Sequence, residues 1–399
     1  MRRLWMLLCL LCLPLCALAQ EEELDTLFAQ FHTLGASVAV FQNGEITYTH
    51  VYGSRDLQGN PVTVDTAFQV GSISKMISNI GLMQLLEAKG LSLDTELGDV
   101  LGYPVRHPDD PHTPITLRML MTHTAALRDG ADYTRALEGD PLLLQQLFTT
   151  RAGWTFHAGV RPGTKRLYSN FGGGLIGSLM ERISGQTVDG YMNEHVFQPL
   201  GITASYQAAL LPGETLLADL VHMPSRRLAK RLADETLLTA VPDAERDYVL
   251  TAGKLIISAP DLCRLLIALC DGGESGGVRI LSEQAAQAMV RDGLFLNIIT
   301  NDQVEGRTLY GHGGKALGML CAAYFDPSDR TGVVMLTNGC NNLRVRNGVG
   351  LLGRRVLTWC YEHIIEPTHT VLSPYAVAES SGPFGAGRAA WLLLPHNVL

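Results

Sequence analysis

Ser72 and Lys75 stand three residues apart in Gly71-Ser72-Ile73-Ser74-Lys75, and Ser72 is the only serine of the chain with a lysine at that distance. Three residues is close to one helical turn, so in a helix the two side chains share a face. A serine hydroxyl is a weak nucleophile until a base takes its proton. Lysine can be that base once burial or a nearby cation lowers its pKa and leaves the amine neutral. A helix start at Ser72 would add free N–H groups and the positive end of the dipole, which stabilise an oxyanion. The pair thus suits acyl transfer through a covalent serine intermediate. It equally suits an N-cap serine followed by a surface lysine, and four residues alone do not separate the two.

The order of the other motifs does. Gly71 to Lys75 resembles the first motif of the serine β-lactamase and penicillin-binding protein superfamily. Ile115-Thr116-Leu117-Arg118-Met119-Leu120-Met121-Thr122-His123-Thr124 is similar to a stretch of its class C and carboxypeptidase-like branch. Pro162-Gly163 ahead of Tyr168-Ser169-Asn170 resembles the second motif, Y-x-N. His312-Gly313-Gly314 resembles the third, and Asp326-Pro327 with Leu336-Thr337-Asn338 resembles the strands after it. The matches run in family order from about Gly35 to Asn338.

This resemblance implies roles. Ser72 attacks a carbonyl carbon and becomes acylated, and Lys75 and Tyr168 form the proton-transfer pair. A tyrosine beside a cationic lysine is expected to have a depressed pKa. Asn170 offers a donor and an acceptor, suited to orienting Lys75 and a substrate amide. The N–H groups of Ser72 and Lys315 would form the oxyanion hole, and His312 and Gly314 would line the opposite wall. In many penicillin-binding relatives the third motif begins with a lysine that pairs with the substrate carboxylate. Histidine is only partly charged near neutral pH, so at His312 that pairing is expected to be weaker and pH-dependent. The Lys315 side chain either supplies the missing cation or points to solvent. Lys254 stands where this branch is expected to carry a small residue. Three other segments mimic motifs. Tyr191-Met192-Asn193 falls in an amphipathic helix, His157-Ala158-Gly159 comes too early, and Gly273-Glu274-Ser275-Gly276-Gly277 reads as a turn.

The elements that must position these residues follow from periodicity. Gly35 to Gln42 and Ile46 to Tyr52 alternate around Asn43-Gly44, a hairpin signal. Ile73, Met76, Ile77, Ile80, Met83 and Leu86 recur at helical spacing, with Gly90 closing the helix. Helices are also predicted over Thr116 to Met121, Phe171 to Ile183 and Asp261 to Leu269. Strands return at Thr308 to Gly311, Met319 to Phe325 and Val333 to Thr337. Strands, then helices, then strands give an α+β fold. Its antiparallel sheet is built from both chain ends, with flanking helices and a mainly helical middle, of the β-lactamase/transpeptidase type that the resemblance implies.

The chain has 399 residues, 46% hydrophobic and 18% charged, enough for a sizeable core. Arg2, Arg3, the apolar run Leu4 to Leu15 and Ala17-Leu18-Ala19 form a secretory signal pattern. The expected division is a signal peptide over 1–19, a serine hydrolase domain over 20–365 and a C-terminal extension over 366–399. Removing 1–19 leaves 29 basic against 39 acidic side chains, a net charge of −10. That balance argues against nucleic acid or an anionic membrane as partner. The expected partner is a small-molecule or peptide substrate, with no stable membrane anchor after cleavage and a periplasmic or extracellular location. Beyond residue 19, Cys263, Cys270, Cys321, Cys340 and Cys360 remain, an odd number, so at least one is unpaired or pairs between chains. That region has neither C-x-x-C nor H-E-x-x-H, so no metal or cofactor is expected. The function these readings predict is that of a secreted serine peptidase or amidase, carboxypeptidase-like and acting on D-amino-acid peptides, or an esterase. A class C-like β-lactamase and a non-catalytic penicillin-binding-like sensor are the alternatives.

Overall fold

The computed structural model describes residues 21–341, 345–346 and 348–366. The signal pattern and the tail beyond residue 366 lie outside the described residues. After a helix over residues 21–30 (α1), the strands Gly35–Gln42 (β1) and Glu45–Gly53 (β2) form the hairpin predicted around Asn43-Gly44. Both turn residues have positive φ, as a tight hairpin of that twist requires.

The late strands are Asn297–Thr300 (β3), Thr308–Ala316 (β4), Met319–Asp326 (β5) and Thr331–Thr337 (β6). They join the hairpin in one antiparallel sheet of order β3-β4-β5-β6-β1-β2. The two ends of the described chain thus meet at the β6–β1 pair, where Ala36 lies opposite Thr337. The pleat sends alternate residues of β1 to opposite faces. Ala36, Val38 and Val40 pack with Leu24 and Phe28 of α1 and with Leu352, Val356 and Cys360 of Leu351–Cys360. Ala39 and Phe41 face the larger core on the helical side. With both faces covered, β1 is apolar or small from Gly35 to Phe41.

β4 is longer than predicted. It runs through His312, Gly313 and Gly314 to Ala316, so the third motif lies within a strand and not between two strands. A Cβ on Gly314 would fall 2.0 Å from the Val70 carbonyl oxygen. Glycine therefore lets β4 lie directly against the segment that leads into Ser72.

The helical side is built on Ile73–Ala88 (α2), whose thirteen buried residues include Lys75 and leave little of it in water. Leu117–Met121 (α3) is capped by Thr116 and Asn170–Ser184 (α4) by Ser169. Leu250–Gly253 (α5) and Ala259–Cys270 (α6) follow, the latter capped by Ser258. Cys263 is buried and Cys270 half-buried, both as free thiols packed in the core, so the two do not form a bridge. The three motif mimics lie elsewhere. Tyr191 packs at a tilt against His195, the His157 carbonyl accepts from His107, and Glu274 and Ser275 pair with Arg279 and Val278 in a small hairpin.

Candidate active site

Ser72 is the residue before α2, with φ −60°, and its side chain caps no helical N–H. Its hydroxyl is therefore free for other partners. Tyr168 Oη donates to Ser72 Oγ at 2.7 Å. Lys75 Nζ lies 3.2 Å from the same oxygen, 3.0 Å from Asn170 Oδ1 and within hydrogen-bond reach of the Ala252 carbonyl of α5. The lysine is 0% exposed, so it is not the surface side chain that the short pattern also allowed.

This arrangement fixes what Lys75 can do. Burial lowers its pKa from 10.5 to about 7, against the opposing pull of the Asp129 charge. A neutral amine has two N–H groups and one lone pair. Asn170 Oδ1 and the Ala252 carbonyl only accept, so they take the two N–H groups. The lone pair is left for Ser72, whose Oγ already accepts from Tyr168 and has its own proton to give. A chain Tyr168 O–H to Ser72 O–H to Lys75 Nζ results, aimed to activate the serine.

Lys75 reaches this position across α4. A Cβ on Gly173 would fall 2.3 Å from Lys75 Cε, so the bare helix face at Gly173 is the channel in which the side chain lies. Asn170 is oriented from behind by Asp129, which sequence reasoning missed. Asp129 accepts from the Asn170 and Phe171 N–H groups, from Asn170 Nδ2 at 2.8 Å and from Ser169 Oγ at 2.9 Å. A carboxylate cannot donate, so the amide must turn its NH2 to Asp129 and its Oδ1 to Lys75. The same carboxylate faces the N-terminus of α4, where a negative charge is favoured.

Two sequence expectations are corrected here. Tyr168 is not a depressed phenol. The residue is 41% exposed at the cleft mouth, but its hydroxyl points inward to Ser72. Burial and the Asp129 charge raise its pKa, outweighing the Ser72 hydrogen bond and Arg166, which lower it. Tyr168 is therefore held as a protonated phenol able to donate to Ser72, not as a standing phenolate. His312 is not partly charged either. It is 3% exposed, and burial, reinforced by Lys75 and Arg166, lowers its pKa to about 3. Its Nδ1 donates to the Gly313 carbonyl at 2.6 Å, and Nε2 is a buried acceptor with no hydrogen-bond partner among the described residues. No pH-dependent carboxylate pairing near neutrality follows from it.

Lys315 lies opposite Leu320 in the β4–β5 register. Leu320 spends its N–H and C=O on Thr337 Oγ1, so the Lys315 N–H is turned away from β5. It lies 3.2 Å from where a Cβ on Gly71 would stand, beside Ser72, as an oxyanion donor must. The Lys315 side chain is exposed on the cleft wall and makes no ion pair among the described residues. Ser72, Tyr168, Asn170, His312, Gly314 and Lys315 thus line one cleft of about 1070 Å³. Lys254 stands outside it. Its Nζ lies 4.0 Å from Glu235, which also pairs with Lys230, so it ties α5 to the segment beyond the Leu220–Lys230 hairpin.

The family model described as Beta-lactamase matches residues 24–354. The chain belongs to the β-lactamase family. As a serine hydrolase of that family it is 28% identical over 340 residues to penicillin-binding protein 4 of Amycolatopsis lactamdurans, covering 80% of this chain and 84% of the relative. Its fold is similar to that of an octameric penicillin-binding protein homologue from Pyrococcus abyssi, with TM-score 0.67, 21% identity and coverage of 87% and 76% of the two chains. A D-stereospecific amidohydrolase from Streptomyces sp. shares the fold with TM-score 0.60, 20% identity and coverage of 87% and 98%.

Proposed function

We propose that this serine hydrolase is a secreted amidase, peptidase or esterase that works through an acyl-enzyme on Ser72, with D-amino-acid peptides among its substrates. The observation that carries the reading is the chain Tyr168–Ser72–Lys75, in which the buried lysine has a lone pair only for the serine. As Ser72 Oγ attacks the substrate carbonyl carbon, its proton passes to Lys75. The oxyanion is received by the N–H groups of Ser72 and Lys315. Tyr168 gives its proton to the leaving nitrogen or oxygen and is recharged from Lys75. Water then enters along the same path and releases the acid. The signal pattern at residues 1–19 supports secretion.

The neutral His312 brings no cation to a ring carboxylate and leaves that task to the exposed Lys315 on the same cleft wall. With no buried cation from the third motif, the reading favours amides and esters over a dedicated β-lactamase. The test compares a D-amino-acid amide, a simple ester and a penicillin with wild type and Ser72→Ala. Turnover of the amide or ester, lost in Ser72→Ala, is expected. Efficient turnover of the penicillin alone would overturn the preference.

A further inference from the structure

His123 follows α3 and has no role in the chemistry above, yet it surrounds Tyr168. Its backbone is left-handed, with φ +58°, a conformation uncommon for a residue with a side chain. That turn points its carbonyl at the Leu167 N–H, at 2.7 Å, and its ring Nδ1 at the Ser169 N–H, at 3.3 Å. The residues on both sides of Tyr168 are thus held by one histidine. The ring also packs on the Tyr168 ring, with centroids 4.6 Å apart, and is itself held edge-on by Phe295 at 5.0 Å. Tyr168 needs such support, since the residue is exposed in the cleft and its hydroxyl must stay on Ser72 Oγ.

The imidazole suits this task only when neutral. Nδ1 accepts, so Nε2 carries the proton, and that N–H is buried without a partner among the described residues. Burial, with Lys75, Arg166 and His312 nearby, holds the ring far from protonation. A strained backbone and an unpaired buried donor both cost stability, and what they maintain is the placement of Tyr168.

We infer that His123 is the positioning residue for Tyr168, clamping the chain on either side of the tyrosine and seating its ring so that the phenol can protonate the leaving group. This rests on the reading of Tyr168 as the proton relay.

The test uses two esters of one acid, 4-nitrophenyl butyrate and ethyl butyrate. The first leaving group departs without a proton and the second needs one. His123→Ala removes both ring and acceptor. His123→Asn keeps an acceptor near the place of Nδ1 and tolerates the left-handed backbone, and it stands in if the alanine variant fails to fold. A misplacement of about 1 Å costs on the order of 100-fold in rate. His123→Ala is expected to lose about that in kcat/KM on ethyl butyrate and roughly tenfold less on the nitrophenyl ester, with Asn restoring part of the loss. Equal losses on both esters, or none, would overturn the inference, because a general loss of folded protein lowers both alike. Tyr168→Phe separates the two levels. If it shows the leaving-group dependence and the His123 variants do not, the clamp alone fails. If it shows none, the relay reading fails and the clamp with it. Wild-type protein that cleaves neither ester would overturn the hydrolase reading and the inference together.

Discussion

The rate of acylation should titrate with Lys75. In the proposed mechanism the base is the neutral amine, and burial lowers the Lys75 pKa to about 7. Roughly one molecule in eleven then carries a neutral lysine at pH 6 and about ten in eleven at pH 8, so kcat/KM should rise about tenfold between them. The other groups around the lysine do not disturb this limb. His312 and His123 are held neutral by burial, and Tyr168 is raised above its ordinary value. The assay is kcat/KM for an uncharged ester from pH 5.5 to 9, corrected for spontaneous hydrolysis. A single rise with its midpoint near 7 and a plateau above 8 is expected. A midpoint near 10, the ordinary lysine range, would show that Lys75 is solvated in solution. A flat profile would show that it is not the base.

Gly173→Ala should place a Cβ on Lys75 Cε and lower kcat by about 100-fold, while alanine's better helix propensity keeps α4 intact. Kinetics and far-UV circular dichroism on one sample check this, and unchanged kcat would refute the channel. Asp129→Asn removes a charge that raises the Lys75 pKa, so the acid limb should move to lower pH while kcat falls as Asn170 loses its anchor. A limb that stays or moves upward would contradict it. Asp247 is pushed well above the carboxylate range by burial and then by Glu181. A raised acid contributes its stability below the unfolded pKa and loses it as pH rises through the folded one. The Tm of Asp247→Asn should therefore fall less than that of wild type between pH 5 and pH 9, and parallel curves would refute this.

Local spacing made Ser72 and Lys75 legible, since one helical turn brings them together whatever the rest of the chain does. The hairpin at Asn43-Gly44 and the meeting of the two chain ends in one sheet were legible for similar reasons, through turn chemistry and alternation. Tyr168, Asn170 and His312 were found by their order along the chain and by resemblance, not by local pattern. What remained hidden depends on tertiary burial. The direction of the Tyr168 shift is one such feature: a cationic lysine alone would depress the phenol, whereas the interior that lowers the Lys75 pKa also penalises a phenolate. The charge state of His312 is another, because nothing in His312-Gly313-Gly314 shows that β4 continues through it and buries the ring. Asp129 is a single acid between Arg128 and Gly130, with no spacing to mark it. Only the fold carries it to the start of α4.

The nucleophile is tested most directly by intact mass. Purified protein lacking residues 1–19 would be mixed with a fluorescent penicillin or a slowly deacylating ester and followed over time, with Ser72→Ala beside it and the labelled peptide mapped. One equivalent of acyl group on Ser72, absent from the variant, is the predicted result. An adduct on another residue, or one that persists in Ser72→Ala, would contradict it.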